Sequence, residues 1–119
     1  MQQQQDGRTA AAIISTESVQ LLHEFTGRGP TKARTTIGDH LVTVLLADTL
    51  TKGERKLVDA GHGERVLALR HDFQTVMRND LVGIIERNLD RKVSAFMSQN
   101  HVDPDYAVEV FVLEGQPEG

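Results

Sequence analysis

The 119-residue sequence contains no cysteine. Without cysteine, the chain can form no disulfide, no thiolate nucleophile and no cysteine-ligated zinc or iron–sulfur cluster. The absence agrees with a reducing compartment, and the sequence therefore predicts a cytoplasmic protein.

Aromatic residues and an excess of positive charge are also lacking. The chain has four phenylalanines and one tyrosine, and its 17 acidic residues outnumber its 13 lysines and arginines, for a net charge of −4. Domains that bind nucleic acid usually carry a clustered basic face, often with aromatic side chains that stack on bases. The sequence therefore argues against a nucleic-acid partner.

Long apolar runs are absent as well. No run approaches the ~18–20 residues that cross a bilayer. Residues 1–7, Met-Gln-Gln-Gln-Gln-Asp-Gly, lack the basic-then-apolar layout of a secretory signal. We expect no direct insertion into a membrane, so any membrane role has to come through a protein partner.

The most extended feature of the sequence is an apolar stripe between Glu64 and Leu89. Its members recur at steps of three and four residues, which is the spacing of one face of a helix. Such a helix has about seven turns and a length on the order of 40 Å, so we expect the rest of the domain to pack against it. The stripe consists of Val66, Leu69, Phe73, Val76, Met77, Leu81, Ile84 and Ile85.

Shorter patterns on either side of this helix predict the remaining elements. An N-terminal helix ends at Gly27 and Pro30, and Thr51 with Glu54 fits a capping box that starts a short helix. Alternating or wholly apolar runs predict four strands. In chain order, the predicted elements are a helix over about 9–26, strands over 32–37 and 41–47, a helix over about 51–60, the long helix, and strands over 92–99 and 106–113.

This order, α-ββ-αα-ββ, predicts the α+β class, with one four-stranded, mainly antiparallel sheet and the helices packed on one face. The length fits a single domain, which we place at residues 9–114. Residues 1–8 are polar and low in complexity, so they are predicted to be a disordered tail. Residues 115–119 are predicted to be a frayed C-terminus.

Alternation in the last two strands assigns their side chains to the two faces of the sheet. We expect the aliphatic set that includes Val93 and Val108 to face the helices. Phe96, Phe111 and Leu113 then lie on the open face. An uncovered apolar sheet face usually marks an interaction site. These three residues are therefore predicted to form a homodimer or partner interface, with an edge strand as the alternative.

The run Gly27-Arg28-Gly29-Pro30, followed by two strands and then by Leu50-Thr51, resembles the MpsC family. These small bacterial domains are named after a Na+-translocating, membrane-potential-generating system. The order and spacing of the motifs carry the similarity, over roughly residues 15 to 114. Further matching residues are Glu54, Leu57, Val66, Arg70, Phe73, the strand Lys92-Val93-Ser94 and the hairpin end Val110-Phe111-Val112-Leu113.

The resemblance implies a small, soluble accessory protein of a membrane system that couples cation movement and inorganic carbon to membrane potential. It implies a cytoplasmic protein that is peripheral to the inner membrane through a transporter partner, and it brings no catalytic residues. The predicted function is therefore a non-catalytic accessory or regulatory domain. The alternative is a small-molecule- or anion-binding sensor domain.

A sensor would need a pocket between the long helix and the sheet. The residues that could line such a pocket are Phe73, Met77 and Met97. The same three side chains also fit a simple hydrophobic core, which is the favoured interpretation.

The stretch Gly27, Arg28 and Gly29, with Lys32 and Arg34 nearby, is a candidate anion site. Glycine allows the tight arrangement of turn amides, and an arginine fork holds carboxylate-like anions such as bicarbonate or a lipid headgroup. Alternatively, the glycines only end the helix and the cations are solvated. The second interpretation is favoured, because a single Gly-x-Gly without a preceding strand is a weak signal.

No pattern in the sequence predicts an enzyme, a metal site or a cofactor. The five histidines show no His-Glu-x-x-His grouping, and there is neither a Gly-x-Ser-x-Gly elbow nor a Walker loop. Asp72 and Asp80 lie two helical turns apart, ~12 Å, which is too far for two carboxylates to share a proton. We therefore predict no catalytic residues, no bound metal and no cofactor.

Overall fold

A computed structural model describes residues 9–115 of the chain. It confirms the α+β class and the predicted order α-ββ-αα-ββ. The predicted tail at residues 1–8 and residues 116–119 of the predicted frayed end lie outside the described residues. The elements are α1 (Ala10–Thr26), β1 (Lys32–Ile37), β2 (Leu41–Ala47), α2 (Lys52–Asp59), α3 (Gly63–Leu89), β3 (Val93–Val102) and β4 (Asp105–Leu113).

The four strands form one antiparallel sheet in the order β1-β2-β4-β3. β2 and β4 pair in the middle, so the two hairpins lie side by side, and β1 and β3 are the edge strands. The helices α2 and α3 connect the central strand β2 to the edge strand β3. β3 extends to Val102 and β4 begins at Asp105, so the two strands continue into the connection that the sequence left between residues 99 and 106.

Local signals in the sequence set the ends of α1 and α2. Thr9 caps α1 by accepting, through its hydroxyl oxygen, a hydrogen bond of 3.1 Å from the amide three residues on. Gly27 ends α1 in the left-handed conformation, and its amide donates to the His23 carbonyl at 2.8 Å. The predicted capping box of α2 is confirmed. The Glu54 amide donates to the Thr51 hydroxyl at 3.1 Å, and the Thr51 amide donates to the Glu54 carboxylate at 2.8 Å.

The core lies between one face of the sheet and the helices α1 and α3. α1 contributes Ile14 and Leu22 to the core, and the sheet contributes the side chains of β2 and β4 that face the helices. The long helix ends at Leu89, where the sequence places it. Leu69 and Val76 of its predicted stripe are exposed. The members of the stripe that are buried are Val66, Met77, Leu81, Ile84 and Ile85.

The prediction that Phe96, Phe111 and Leu113 lie on the open face is wrong, because all three face the helices. Phe111 and Leu113 are 1% and 4% exposed and pack under the helices, and the half-buried Phe96 lies beside Phe111 with the ring centroids 5.2 Å apart. β4 is apolar on both faces, so alternation alone does not say which set points inward. Val93 does face the core, because an irregularity in strand pairing between Val93 and Ala95 changes the side to which β3 residues point.

A different set of apolar side chains lies on the open face of the sheet. Val108, which was expected to face the helices, points to this face together with Val110 and Val112, and all three are half-buried. The larger apolar residues that stand exposed around these valines are Leu41, Leu45, Met97 and Tyr106. The open face is therefore broadly apolar, although with other residues than predicted.

The same correction removes the pocket predicted for a sensor. Met97 is 52% exposed on the open face, whereas Met77 is buried in the core on the other side of the sheet. Phe73 packs with the core from α3, in an edge-to-face contact with Phe25 of α1. Phe73, Met77 and Met97 therefore do not line one cavity.

Candidate functional site

The link between β2 and α2 is the centre of a network of ion pairs. Asp48, at the start of this link, has a left-handed backbone with φ of 64°. Its carboxylate binds Arg28, which follows α1, and Arg55 of α2, the latter at 2.7 Å. Desolvation works against the charged carboxylate, but the hydrogen bonds and charges of Arg28 and then Arg55 outweigh it and lower the pKa of Asp48.

Two residues of the predicted anion site, Gly27 and Arg28, are already bound to groups of the protein. Arg28 is held by Asp48, to whose backbone carbonyl its Nε also donates at 3.3 Å. The Gly27 amide is used to close α1. Lys32 and Arg34, in contrast, lie exposed on β1 and form no ion pair among the residues that the structure describes. The cation of the glycine turn is therefore already paired, whereas the two strand cations are not.

Asp105, the first residue of β4, ties the same link to the sheet. Its carboxylate accepts from the Thr49 hydroxyl at 3.0 Å and from the Leu50 amide at 2.8 Å. Its Oδ2 is also 3.3 Å from Nη2 of Arg55. The Asp48 amide donates to the Asp105 carbonyl at 3.0 Å. Together these bonds satisfy the backbone where the chain leaves the sheet.

A buried ion pair extends the network into the helical layer. Arg70 of α3 donates to both carboxylate oxygens of Glu54 in α2, at 3.1 and 2.7 Å, and to the Thr49 carbonyl at 2.6 Å. Its guanidinium also lies 6.0 Å from the ring centroid of Phe73. Sequence reasoning did not identify this pair, although Arg70 stands in phase with Val66 and Phe73 on the buried stripe.

A second buried carboxylate, Glu109, lies among the inward residues of β4. It is 2% exposed, and its Oε1 accepts a hydrogen bond from the Ser98 hydroxyl on the neighbouring strand β3. Burial raises the pKa of Glu109 to about 7, although the Ser98 hydrogen bond and the charge of Arg70 act in the opposite direction. Glu109 can therefore bind or release a proton near neutral pH.

Two adjoining surface recesses lie between α3 and β3 beside the hydroxyl that binds Glu109. Their volumes are about 200 and 130 Å³, and His71, Gln74 and Ser98 line both of them. Asn100, in the smaller recess, has a buried Oδ1 without a hydrogen-bond partner within residues 9–115. Solvent or a small polar molecule in these recesses would lie next to Ser98, whose hydroxyl binds the carboxylate of Glu109.

A third recess, of about 520 Å³, lies on the open face at the β1 edge. It contains the two strand cations of the predicted anion site, Lys32 and Arg34, together with Leu45 and Tyr106. Cations beside an aromatic hydroxyl and an aliphatic wall are able to bind a small anion. The predicted residues Lys32 and Arg34 thus share one concave site.

Comparison with known protein families decides the family. The model of the family described as Na+-translocating membrane potential-generating system (MpsC) matches residues 7–115. The chain belongs to the MpsC family. The family name links it to a Na+-translocating, membrane-potential-generating system. No curated protein and no solved structure matches the chain.

The residues that carry the MpsC resemblance are brought together by the fold. Arg28, Thr51, Glu54 and Arg70 come from three separate parts of the chain, and all belong to the hydrogen-bonded network around the β2–α2 link. The network joins α1, α2, α3 and the central strands. We interpret it as a feature that stabilises the fold of this chain.

None of the helices in residues 9–115 is long and apolar enough to cross a membrane. The same residues contain no group of three or more histidine, aspartate or glutamate side chains that could hold a metal ion.

Proposed function

We propose that this protein is a non-catalytic accessory or regulatory domain of a Na+-translocating, membrane-potential-generating system. It acts as a homodimer at the cytoplasmic side and reaches the inner membrane through a transporter partner. The family match over residues 7–115 supports the cellular system. The observation that carries the mode of action is the open apolar sheet face, because a surface of this kind usually binds another protein.

The chemistry of the carboxylates supports a role without catalysis. Asp48, Glu54 and Asp105 each pair with at least one arginine inside the chain. Asp105 and Glu54 also accept hydrogen bonds from backbone amides. Carboxylates that are satisfied in this way stabilise the fold and are poorly placed to take a proton from a substrate.

Affinity capture from membranes of the native host tests this function. The tagged protein is cross-linked to its neighbours, and the captured proteins are identified by mass spectrometry. We expect to recover a subunit of the Na+-translocating system. Leu45→Asp, which places a charge on the open face, should lose this subunit. Val76→Asp, which places the same charge on an exposed position of α3, is the control and should retain it. Recovery of the bait alone would overturn the proposal.

A second candidate function is anion binding by a sensor, and the recess at the β1 edge favours it. Lys32 and Arg34 form no ion pair with the residues that the structure describes, and they line this recess together. Bicarbonate carries the negative charge that these two cations attract, and its oxygens can accept hydrogen bonds from an arginine fork. The bound anion would lie between the two side chains.

The melting temperature in bicarbonate, compared with chloride at equal ionic strength, tests the anion site. Ligand that binds only the folded state raises the melting temperature. We expect Arg34→Ala to abolish the rise and Lys52→Ala, which removes a cation from the exposed start of α2, to leave it unchanged. An unchanged rise in Arg34→Ala would exclude this site.

A further inference from the structure

The open face of the sheet can be described as four rows of side chains that run across the strands. Strand pairing fixes which outward residues are neighbours, and every second residue of each strand belongs to this face. From the end of the sheet near the β3–β4 hairpin, the rows are Lys32–Ala47–Tyr106–His101, Arg34–Leu45–Val108–Gln99, Thr36–Thr43–Val110–Met97 and Leu41–Val112–Ala95.

Charge is confined to one edge of this face. Lys32 and Arg34 lie on β1, while the opposite edge on β3 carries the neutral amide of Gln99 and the His101 ring. Within the strands that the structure describes, no carboxylate points to this face, although the whole chain has a net charge of −4. The two central strands β2 and β4 between these edges present apolar side chains and Thr43.

The size of the face suits an interface between two small domains. Four strands of about seven residues measure ~19 by ~23 Å, or ~450 Å² as a flat area. This area, which includes the polar residues at the two edges, lies within the ~300–600 Å² of the largest apolar patch on a typical small protein, and such a patch is often functional. Two such faces bury about 900 Å² as flat areas, which is below the ~1,200 Å² of stable interfaces and in the range of weak ones. The area therefore fits a weak dimer that forms at micromolar concentration.

We propose that two copies of the chain pack open face to open face, with the two-fold axis parallel to the strands. This inference rests on the homodimer of the proposed function and adds its surface and its symmetry. Aligned packing of two sheets, with the strands ~30° apart, would bury the apolar strands β2 and β4 of both copies. The observations that carry it are the apolar centre and the one-sided placement of the cations.

The charges select this axis over the alternative. An axis perpendicular to the strands would place β1 on β1, so the cations of both copies, Lys32 and Arg34, would lie along the same side of the interface with no carboxylate of the strands to balance them. Like charges in an interface are unfavourable. With the axis parallel to the strands, β1 lies over β3 and each row meets itself in reverse. Arg34 then faces Gln99 of the partner subunit, whose carbonyl can accept from the guanidinium, and Leu45 faces Val108 of the partner subunit.

Light scattering and sedimentation equilibrium test the surface. We expect the wild type to be a dimer at ~50 μM, as the size of the face suggests. Leu45→Asp and Met97→Asp change exposed side chains, so both should fold, and we expect each to weaken the dimer at least ~30-fold. Val76→Asp on α3 should remain dimeric. A monomeric wild type, or a dimer unaffected by both sheet variants, would overturn the proposal.

Cross-linking tests the axis, and the absence of native cysteine makes single-cysteine variants clean probes. With a short bis-maleimide, a mixture of Arg34→Cys and Gln99→Cys should give a covalent dimer, while neither variant alone should. A covalent dimer from Arg34→Cys alone would indicate the perpendicular axis and contradict the proposal.

The experiments distinguish a failure of the dimer from a failure of the proposed accessory function. A monomeric protein that still captures a subunit of the Na+-translocating system overturns only the dimer, and the face is then free for that subunit. Binding of the monomer to anionic lipid vesicles, lost in Leu45→Asp, would instead assign the face to a membrane surface. Either result rejects a second copy as the occupant.

Discussion

Arg70 of α3 and Glu54 of α2 form a buried, two-pronged ion pair, with Nε to Oε2 at 3.1 Å and Nη2 to Oε1 at 2.7 Å. Each partner has a further bond that fixes its position. Arg70 donates to the Thr49 carbonyl, and Glu54 accepts from the Thr51 amide that begins α2. One pair therefore fixes both the link after β2 and the position of α2 on α3.

The first prediction concerns this pair. Arg70→Met leaves the Glu54 carboxylate buried without its partner, and removing one member of a buried pair costs ~3–5 kcal/mol. We expect the free energy of unfolding, measured by urea denaturation at pH 7, to fall by that amount. Arg65→Met, an exposed change in the same helix, should stay within ~0.5 kcal/mol of the wild type. Equal stabilities of the two variants would contradict the structural role of the pair.

The second prediction concerns Glu109 and pH. Its pKa is raised from 4.5 to about 7 in the folded protein, so the folded state binds more protons than the unfolded state between these values. Stability from this group is therefore greatest at low pH and declines as the pH rises from about 4.5 to about 7. The decline amounts to ~3 kcal/mol, since each pKa unit corresponds to ~1.4 kcal/mol.

Comparison with Glu109→Gln isolates this contribution. The variant cannot titrate at this position, so its stability relative to the wild type should rise with pH and level off above pH 7. The difference between the two urea unfolding free energies, measured from pH 4.5 to 8.5, removes the effect of all other titrating groups. Parallel pH profiles for the two proteins would show that Glu109 does not titrate as the structure indicates.

The third prediction tests which side of β4 faces the helices. Phe111→Ala removes a ring from the core and should cost ~3–5 kcal/mol. Met97→Ala, at an exposed position on the open face, should cost less than ~1 kcal/mol in the monomer. Urea unfolding of both variants in dilute solution provides the measurement. A larger loss of unfolding free energy for Met97→Ala than for Phe111→Ala would contradict this assignment of the two faces of the sheet.

Local patterns predicted most of the fold. The period of α3, the capping box at Thr51 and the glycine at position 27 depend on residues close in sequence, and the structure confirms the elements they indicate. The order β1-β2-β4-β3 was not predicted, because hydrophobic patterns do not say which strands are neighbours. That information lies in the packing of the whole domain.

The functional residues were harder to predict than the fold. β4 carries valines on one side and Ala107, Glu109, Phe111 and Leu113 on the other, and the aliphatic set was expected to face the helices. The expectation failed because the core accepts Glu109, although charged residues are seldom buried. Arg70 and Glu54 are 16 residues apart in sequence, and only the tertiary structure brings them together.

The central claim is that this MpsC protein supports a Na+-translocating system, and the membrane potential of living cells tests it most directly. The measurement uses a potential-sensitive dye in the native host, with and without the gene, at matched sodium concentrations. We predict a reduced potential in the deletion strain, restored by the wild-type protein and by Val76→Asp but not by Leu45→Asp. A potential that is unchanged by the deletion would contradict the account.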